Sequence, residues 1–215
     1  LGCLLIKKSV FNKLKKPWFA GGTVTMVSVT TQHSFLAGNN ERFEDGTLNY
    51  LDIPAIQNGL EYIESIGIDK INARVKGLTQ YLLDRLHSLH HANGRALIKV
   101  FGPHDMDRRG GNLVMNFFDE NGNTVDFESI DVIASDKNIS IRSGCFCNPG
   151  IDEINNCITN DEMAKYFTSR DKGDYHDMVK YLGKMRGATR VSVGIATAVE
   201  DIEVFIDFLK EHFKI

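Results

Sequence analysis

Residues 141–150 read Ile141-Arg142-Ser143-Gly144-Cys145-Phe146-Cys147-Asn148-Pro149-Gly150, placing two thiols one residue apart beside a guanidinium in a turn-rich stretch. A thiol becomes a useful nucleophile as the thiolate, which a nearby cation favours and an apolar core disfavours. Arg142 and a loop rich in Gly and Pro supply such surroundings; the plainer reading is two small, half-buried hydrophobes in a turn. Upstream, Ile139 to Arg142 is strand-like and delivers the chain to the loop. Downstream, the polar, poorly periodic segment from Asp152 to Gly187 reads as an insertion with one or two short helices.

Working outward, alternating residues predict strands over Ala96–Phe101, Asn112–Phe118 and Thr189–Ile195, with a tight turn at Asn121-Gly122 and a helix from about Phe127 to Lys137. Two helices precede them. In the first, Asp52 caps and Ile53, Ile56, Leu60 and Ile63 recur at helical spacing up to Gly67. In the second, Asp69 caps and Ile71, Val75, Leu78, Leu82, Leu86 and Leu89 keep one stripe until Asn93-Gly94. A last helix opens on the capping box Thr197-Ala198-Val199-Glu200 and buries Ile202, Phe205, Ile206, Leu209 and Phe213. Earlier, Val10 to Lys16 reads as a short helix or turn, Thr23 to Thr31 as β-prone, and Arg42 to Thr47 as a polar turn. The apolar run Leu1 to Ile6 reads as a buried strand, which suggests the C-terminal part of a longer polypeptide. Helices with a mostly antiparallel strand set after residue 95 define an α+β class.

The chain has 215 residues, 42% hydrophobic and 25% charged, ordinary for a globular protein with a sizeable core. Its formal charge of -3 gives no global attraction to nucleic acid or to an anionic membrane, and Lys7, Lys8, Lys13, Lys15 and Lys16 read as a solvated face. No apolar run approaches the ~18 residues of a spanning helix, so a cytoplasmic location is expected. Four cysteines, Cys3, Cys145, Cys147 and Cys157, do not form the evenly spaced framework of a small secreted domain. Neither Cys145, Cys147 and Cys157 nor His87, His90 and His91 shows the spacing of a common structural metal site, and no metal is expected.

Four segments carry a resemblance to a known family: Pro17 to Val24 (PWFAGGTV), Arg42 to Thr47 (RFEDGT), Arg142 to Gly150 (RSGCFCNPG) and Gly187 to Phe208 (GATRVSVGIATAVEDIEVFIDF). In the same order and at comparable separations they resemble the class V, fold-type I pyridoxal-phosphate enzymes, which include cysteine desulfurases, selenocysteine lyases and molybdenum cofactor sulfurases. The Cys-Phe-Cys-Asn form of the loop looks closest to the aminotransferase-like domain of the molybdenum cofactor sulfurases. The resemblance implies that residues 1–45 are the C-terminal remnant, including the last strands, of a large pyridoxal-phosphate-binding α/β domain. Residues 46–215 would be the small C-terminal domain, an antiparallel sheet flanked by helices, with the insertion at about 152–187.

Carried over residue by residue, the resemblance assigns Cys147 as the catalytic thiol that takes sulfur from a cysteine held on the cofactor, becoming a persulfide while alanine is released. Arg190 lies where the family binds the substrate α-carboxylate, a task suited to a planar fork making two parallel hydrogen bonds. Arg142 either holds the loop or biases Cys147 toward the thiolate, and Cys145 is accessory or structural. Gly21, Gly22 and Thr23 resemble the loop that approaches the cofactor phosphate of the partner subunit in the family's homodimer. Glu44, Asp45 and Gly46 look like the region linking the two domains, or are a solvated turn. No lysine matches the family's Schiff-base position, so the chain alone is expected to be inactive. Expected partners are L-cysteine or a related amino acid, a second copy of the chain, and a sulfur-acceptor protein or cofactor. The alternatives are a pyridoxal-phosphate aminotransferase, epimerase or lyase without sulfur transfer, and an inactive, truncated interaction module.

Overall fold

The computed structural model describes residues 2–215, which form two compact units, one ending at Ile68 and one running Asp69–Ile215. In the first unit a short helix α1 (Lys8–Phe11) precedes an antiparallel hairpin of β1 (Val24–Ser28) and β2 (His33–Leu36). A 3-10 turn over Asn40–Phe43 follows, then α2 (Pro54–Ile66). The Arg42 guanidinium lies 4.4 Å from the Phe11 ring centroid and 4.9 Å from that of Phe43, and donates to the Phe11 carbonyl, so a cation ties these turns together.

Two expectations fail here. Residues 2–6 form no strand, and Leu4 and Leu5 are exposed, because an apolar run becomes a strand only where neighbouring strands pair its backbone. Leu1 itself lies outside the described residues. Helix α2 forms as its period requires, yet it has no side-chain cap and buries no residue; the Asp52 carboxylate accepts instead from the Asn49 side chain at 2.7 Å.

The second unit holds the core. Helix α3 (Ile68–His87) buries Leu78, Leu82, Leu83 and Leu86. It starts before Asp69, which sits in the first turn instead of capping it, and it ends before Asn93-Gly94. Then come β3 (Ile98–Phe101), β4 (Asn112–Phe117), α4 (Phe127–Asp136) and β5 (Arg142–Gly144). Three short helices, α5 (Pro149–Asn155), α6 (Asn160–Thr168) and α7 (Tyr175–Leu182), lead to β6 (Ala188–Ser192) and the final helix α8 (Val199–Phe213). The insertion thus carries one helix more than its weak periodicity suggests, because each has a cap. The side chains of Asn148, Thr159 and Asp174 accept from the first-turn N–H groups of α5, α6 and α7. At α8 the Asp201 carboxylate, not Glu200, reaches back to the Ala198 N–H at 2.8 Å, while the Thr197 hydroxyl accepts from Gly194.

The four strands form one antiparallel sheet in the order β3-β4-β6-β5, so the last strand in sequence inserts between two earlier ones. Leu113, Met115 and Phe117 alternate onto the face that packs with α3, α4 and α8, and with Ile130, Ile206 and Leu209 they are almost fully buried. Val114, Arg190 and Arg142 share the opposite face, since they stand side by side across β4, β6 and β5. That register sets the site.

Candidate active site

Strand β5 ends at Gly144, whose φ of +112° only glycine adopts without strain. The chain then turns through Cys145–Asn148, closed by the Asn148 N–H donating to the Cys145 carbonyl at 3.0 Å. Both central residues are left-handed, Phe146 at φ +54° and Cys147 at φ +55°. A left-handed residue with a side chain costs about 1–3 kcal/mol, so surrounding contacts must hold the turn. Two of them are the Asn148 side chain, which accepts from the Ile151 N–H, and Pro149 in the first turn of α5. The result is a thiol raised to the surface: Cys147 and Cys145 are both exposed and in no disulfide.

Arg190 comes from the neighbouring strand. Its guanidinium carbon lies 5.5 Å from the centroid of the Phe146 ring, which connects β6 to the cysteine turn. Arg190 and Arg142 are directly opposite across β6 and β5, a like-charge pairing that destabilises a sheet unless an anion relieves it. The Nε of Arg190 is buried and has no hydrogen-bond partner. Among the described residues neither Arg142 nor Arg190 makes an ion pair with a carboxylate. A guanidinium that pairs with no carboxylate among the described residues, in contact with Phe146 of the cysteine turn, keeps hydrogen-bonding capacity for an anionic group.

Residues Gly21, Gly22 and Thr23 belong to the first unit. Gly22 has φ +82°, and a Cβ on it would stand 3.0 Å from the Gly46 carbonyl oxygen, while the Gly46 N–H donates to the Gly21 carbonyl at 2.8 Å. These glycines therefore permit close contact between two turns. Thr23 is fully buried, and its hydroxyl donates to the Ala20 carbonyl and accepts from the Ala20 N–H. That hydroxyl has no proton left to offer. Asp45 pairs with Lys16, whose hydrogen bond holds the carboxyl below its ordinary range, and Glu44 accepts from Asn40. Lys16 is thus removed from the solvated lysine face expected of it.

Sequence reading missed Phe146 as a partner of Arg190, and missed a buried polar cluster on α5. Asp152 is 6% exposed and pairs with Arg186, which is 8% exposed. Asp152 falls directly after the loop, but nothing in its spacing marks Arg186 as a partner across the insertion.

The site thus presents an exposed thiol on a strained turn, next to a strand arginine that pairs with no carboxylate among the described residues, on an α+β domain with an antiparallel sheet. The chain belongs to the aminotransferase class-V family, whose model matches residues 1–205. It is 32% identical to "Molybdenum cofactor sulfurase 3" of Aedes aegypti over 98% of its own length, and 30% identical to the molybdenum cofactor sulfurase of Homo sapiens over 97%. It spans 29% and 24% of those two relatives. Among solved structures, the apo cysteine desulfurase of Thermococcus onnurineus NA1 superposes with a TM-score of 0.66 at 23% identity, covering 97% of this chain and 42% of that one. The cysteine desulfurase CsdA of Escherichia coli gives 0.59 at 15% identity, covering 92% and 39%. The fold is therefore that of the fold-type I cysteine desulfurases. Among the described residues no helix is long and apolar enough to cross a membrane.

Proposed function

We propose that the protein carrying this chain is a pyridoxal-phosphate-dependent cysteine desulfurase or sulfurtransferase, with Cys147 as its sulfur acceptor. The observation that carries this reading is the exposed Cys147 on a strained turn whose Phe146 touches the unpaired Arg190. Arg190 binds the α-carboxylate of cysteine with its guanidinium, which pairs with no carboxylate among the described residues, and Arg142 opposite adds positive charge. The Cys147 thiolate attacks the substrate sulfur, a new S–S bond forms, and the substrate S–C bond breaks with its electron pair going to carbon. Protonation of that carbon yields alanine, and Cys147 is left as a persulfide. Pyridoxal phosphate, when bound, supplies the electron sink that makes this cleavage possible.

The residues present fit the phosphate end of that cofactor in part. A Cβ at Gly21 would meet nothing within 4 Å, so the backbone at Gly21 is open to close approach, whereas Gly22 packs against the Gly46 carbonyl and Thr23 braces the turn internally. The family's Schiff-base lysine has no counterpart here. We assign residues 1–45 to the large domain and 46–215 to the small one, and expect a homodimer in the cytoplasm. The exposed apolar residues Met26, Val27 and Phe35 of the hairpin and the uncovered stripe of α2 support association with another surface.

Mass spectrometry of the intact polypeptide after incubation with pyridoxal phosphate and cysteine tests the reading. A reducible sulfur adduct on Cys147, lost together with alanine release in Cys147→Ser, is the expected result. Undiminished alanine release in that variant would sink it in favour of a sulfur-independent member of the family.

A further inference from the structure

The cysteine turn needs an external brace, and the short helix that follows it has an unusual one. The sole buried side chain of α5 is a carboxylate, Asp152. A surface helix normally docks by an apolar stripe, yet Ile151 and Ile154 of α5 are exposed. Asp152 Oδ2 accepts from Arg186 Nε at 2.7 Å, and its Oδ1 accepts from Asn156 Nδ2 at 2.9 Å and from the Gly187 N–H. Arg186 also reaches the Met178 sulfur on α7 at 2.9 Å and lies 3.7 Å from Glu153. Asn156 in turn accepts from Asn116 of β4 at 3.0 Å. One buried cluster therefore joins the helix behind Cys147 to β4 and to the chain entering β6, the strand that carries Arg190.

We propose that Asp152 and Arg186 are positioning residues, a register clamp that holds the Cys147 turn at a defined height relative to Arg190. The inference rests on the reading of Cys147 as sulfur acceptor. A buried ion pair contributes little net stability, because desolvating two charges cancels most of their attraction. Its use lies in geometry. An apolar contact tolerates sliding, whereas displacing α5 along its axis would strip a buried charge of its directional partners. The gap between thiol and carboxylate-binding arginine is thereby set by two residues that touch neither substrate nor cofactor.

The test uses the intact polypeptide. Asp152→Asn is expected to slow sulfur transfer at least tenfold in kcat while changing KM for cysteine less than twofold, since the sheet still holds Arg190. Without cofactor, iodoacetamide labelling of Cys147 should accelerate at least threefold as the turn is released, with Cys3 unchanged. Because a lone buried arginine can unfold the domain, the double variant Asp152→Leu/Arg186→Met supplies a second arm. It should restore the melting temperature but not the rate of sulfur transfer. Recovery of the rate along with stability would reduce the pair to a structural role and overturn the clamp. If Cys147→Ser abolishes transfer while Asp152→Asn and the double variant keep full rate and normal labelling, the clamp is wrong and the acceptor reading stands. If Cys147→Ser has no effect, both fall.

Discussion

Helices α2 and α3 follow one another in sequence and carry apolar stripes of the same period, yet their fates differ. Helix α3 buries Leu78, Leu82, Leu83 and Leu86 under the sheet, whereas α2 buries nothing and leaves Ile56, Leu60 and Ile63 exposed. The contrast teaches that a hydrophobic stripe specifies a helix and a direction of docking, while burial depends on a complementary surface elsewhere. The same holds for strands. Leu113 and Met115 are buried because β3 and β6 flank β4, whereas the equally apolar Leu4 and Leu5 have no flanking strand among the described residues.

Three measurements test the difference between the two helices. The largest effect belongs to Leu83→Ala, which empties a fully buried site and should cost about 2–5 kcal/mol by denaturant unfolding. A cost below about 1 kcal/mol would mean that α3 is not the wall of the core. Next comes the tie between α3 and α8, where Glu203 accepts from Arg85 at 2.6 and 2.8 Å and from Tyr81 at 2.6 Å. The Arg85 hydrogen bonds, then that of Tyr81, hold the Glu203 carboxyl at about 2 against an ordinary 4.5. A carboxyl depressed in the folded state adds stability above its unfolded value and loses it as pH falls through the folded one. The melting temperature should therefore drop between about pH 4.5 and pH 2, and Glu203→Gln should flatten that slope; an unchanged slope would remove Glu203 from the tie. The smallest effect belongs to Leu60→Ala on α2, expected within about 0.5 kcal/mol of the parent. A loss of 2 kcal/mol or more would show that the α2 stripe is covered in solution, and the contrast with α3 would disappear.

Local rules carried the sequence reading a long way. The apolar periods of the helices, the turn at Asn121-Gly122 and the alternation in β4 are encoded within a few residues, so most helices and strands appear close to where their patterns place them, although the caps expected at Asp52 and Asp69 do not form. The candidate site was legible in its chemistry, because Cys147 beside Arg142 is a local signal and Arg190 sits in a recognisable segment. It was not legible in its connections. The Phe146 contact with Arg190 and the pairing of Asp152 with Arg186 join residues far apart in sequence, and only the insertion of β6 between β4 and β5 creates them.

Local sequence set which segments are helical, which strand faces are apolar and which thiol stands in a turn, since periods and glycines act over a handful of residues. Tertiary structure alone decided that Arg142 and Arg190 face each other, that α5 is held by a carboxylate, and that α2 stays bare where α3 is buried. Those outcomes depend on sheet order and on which surfaces meet, and strand register and burial are properties of pairs of segments that no single stretch of chain contains.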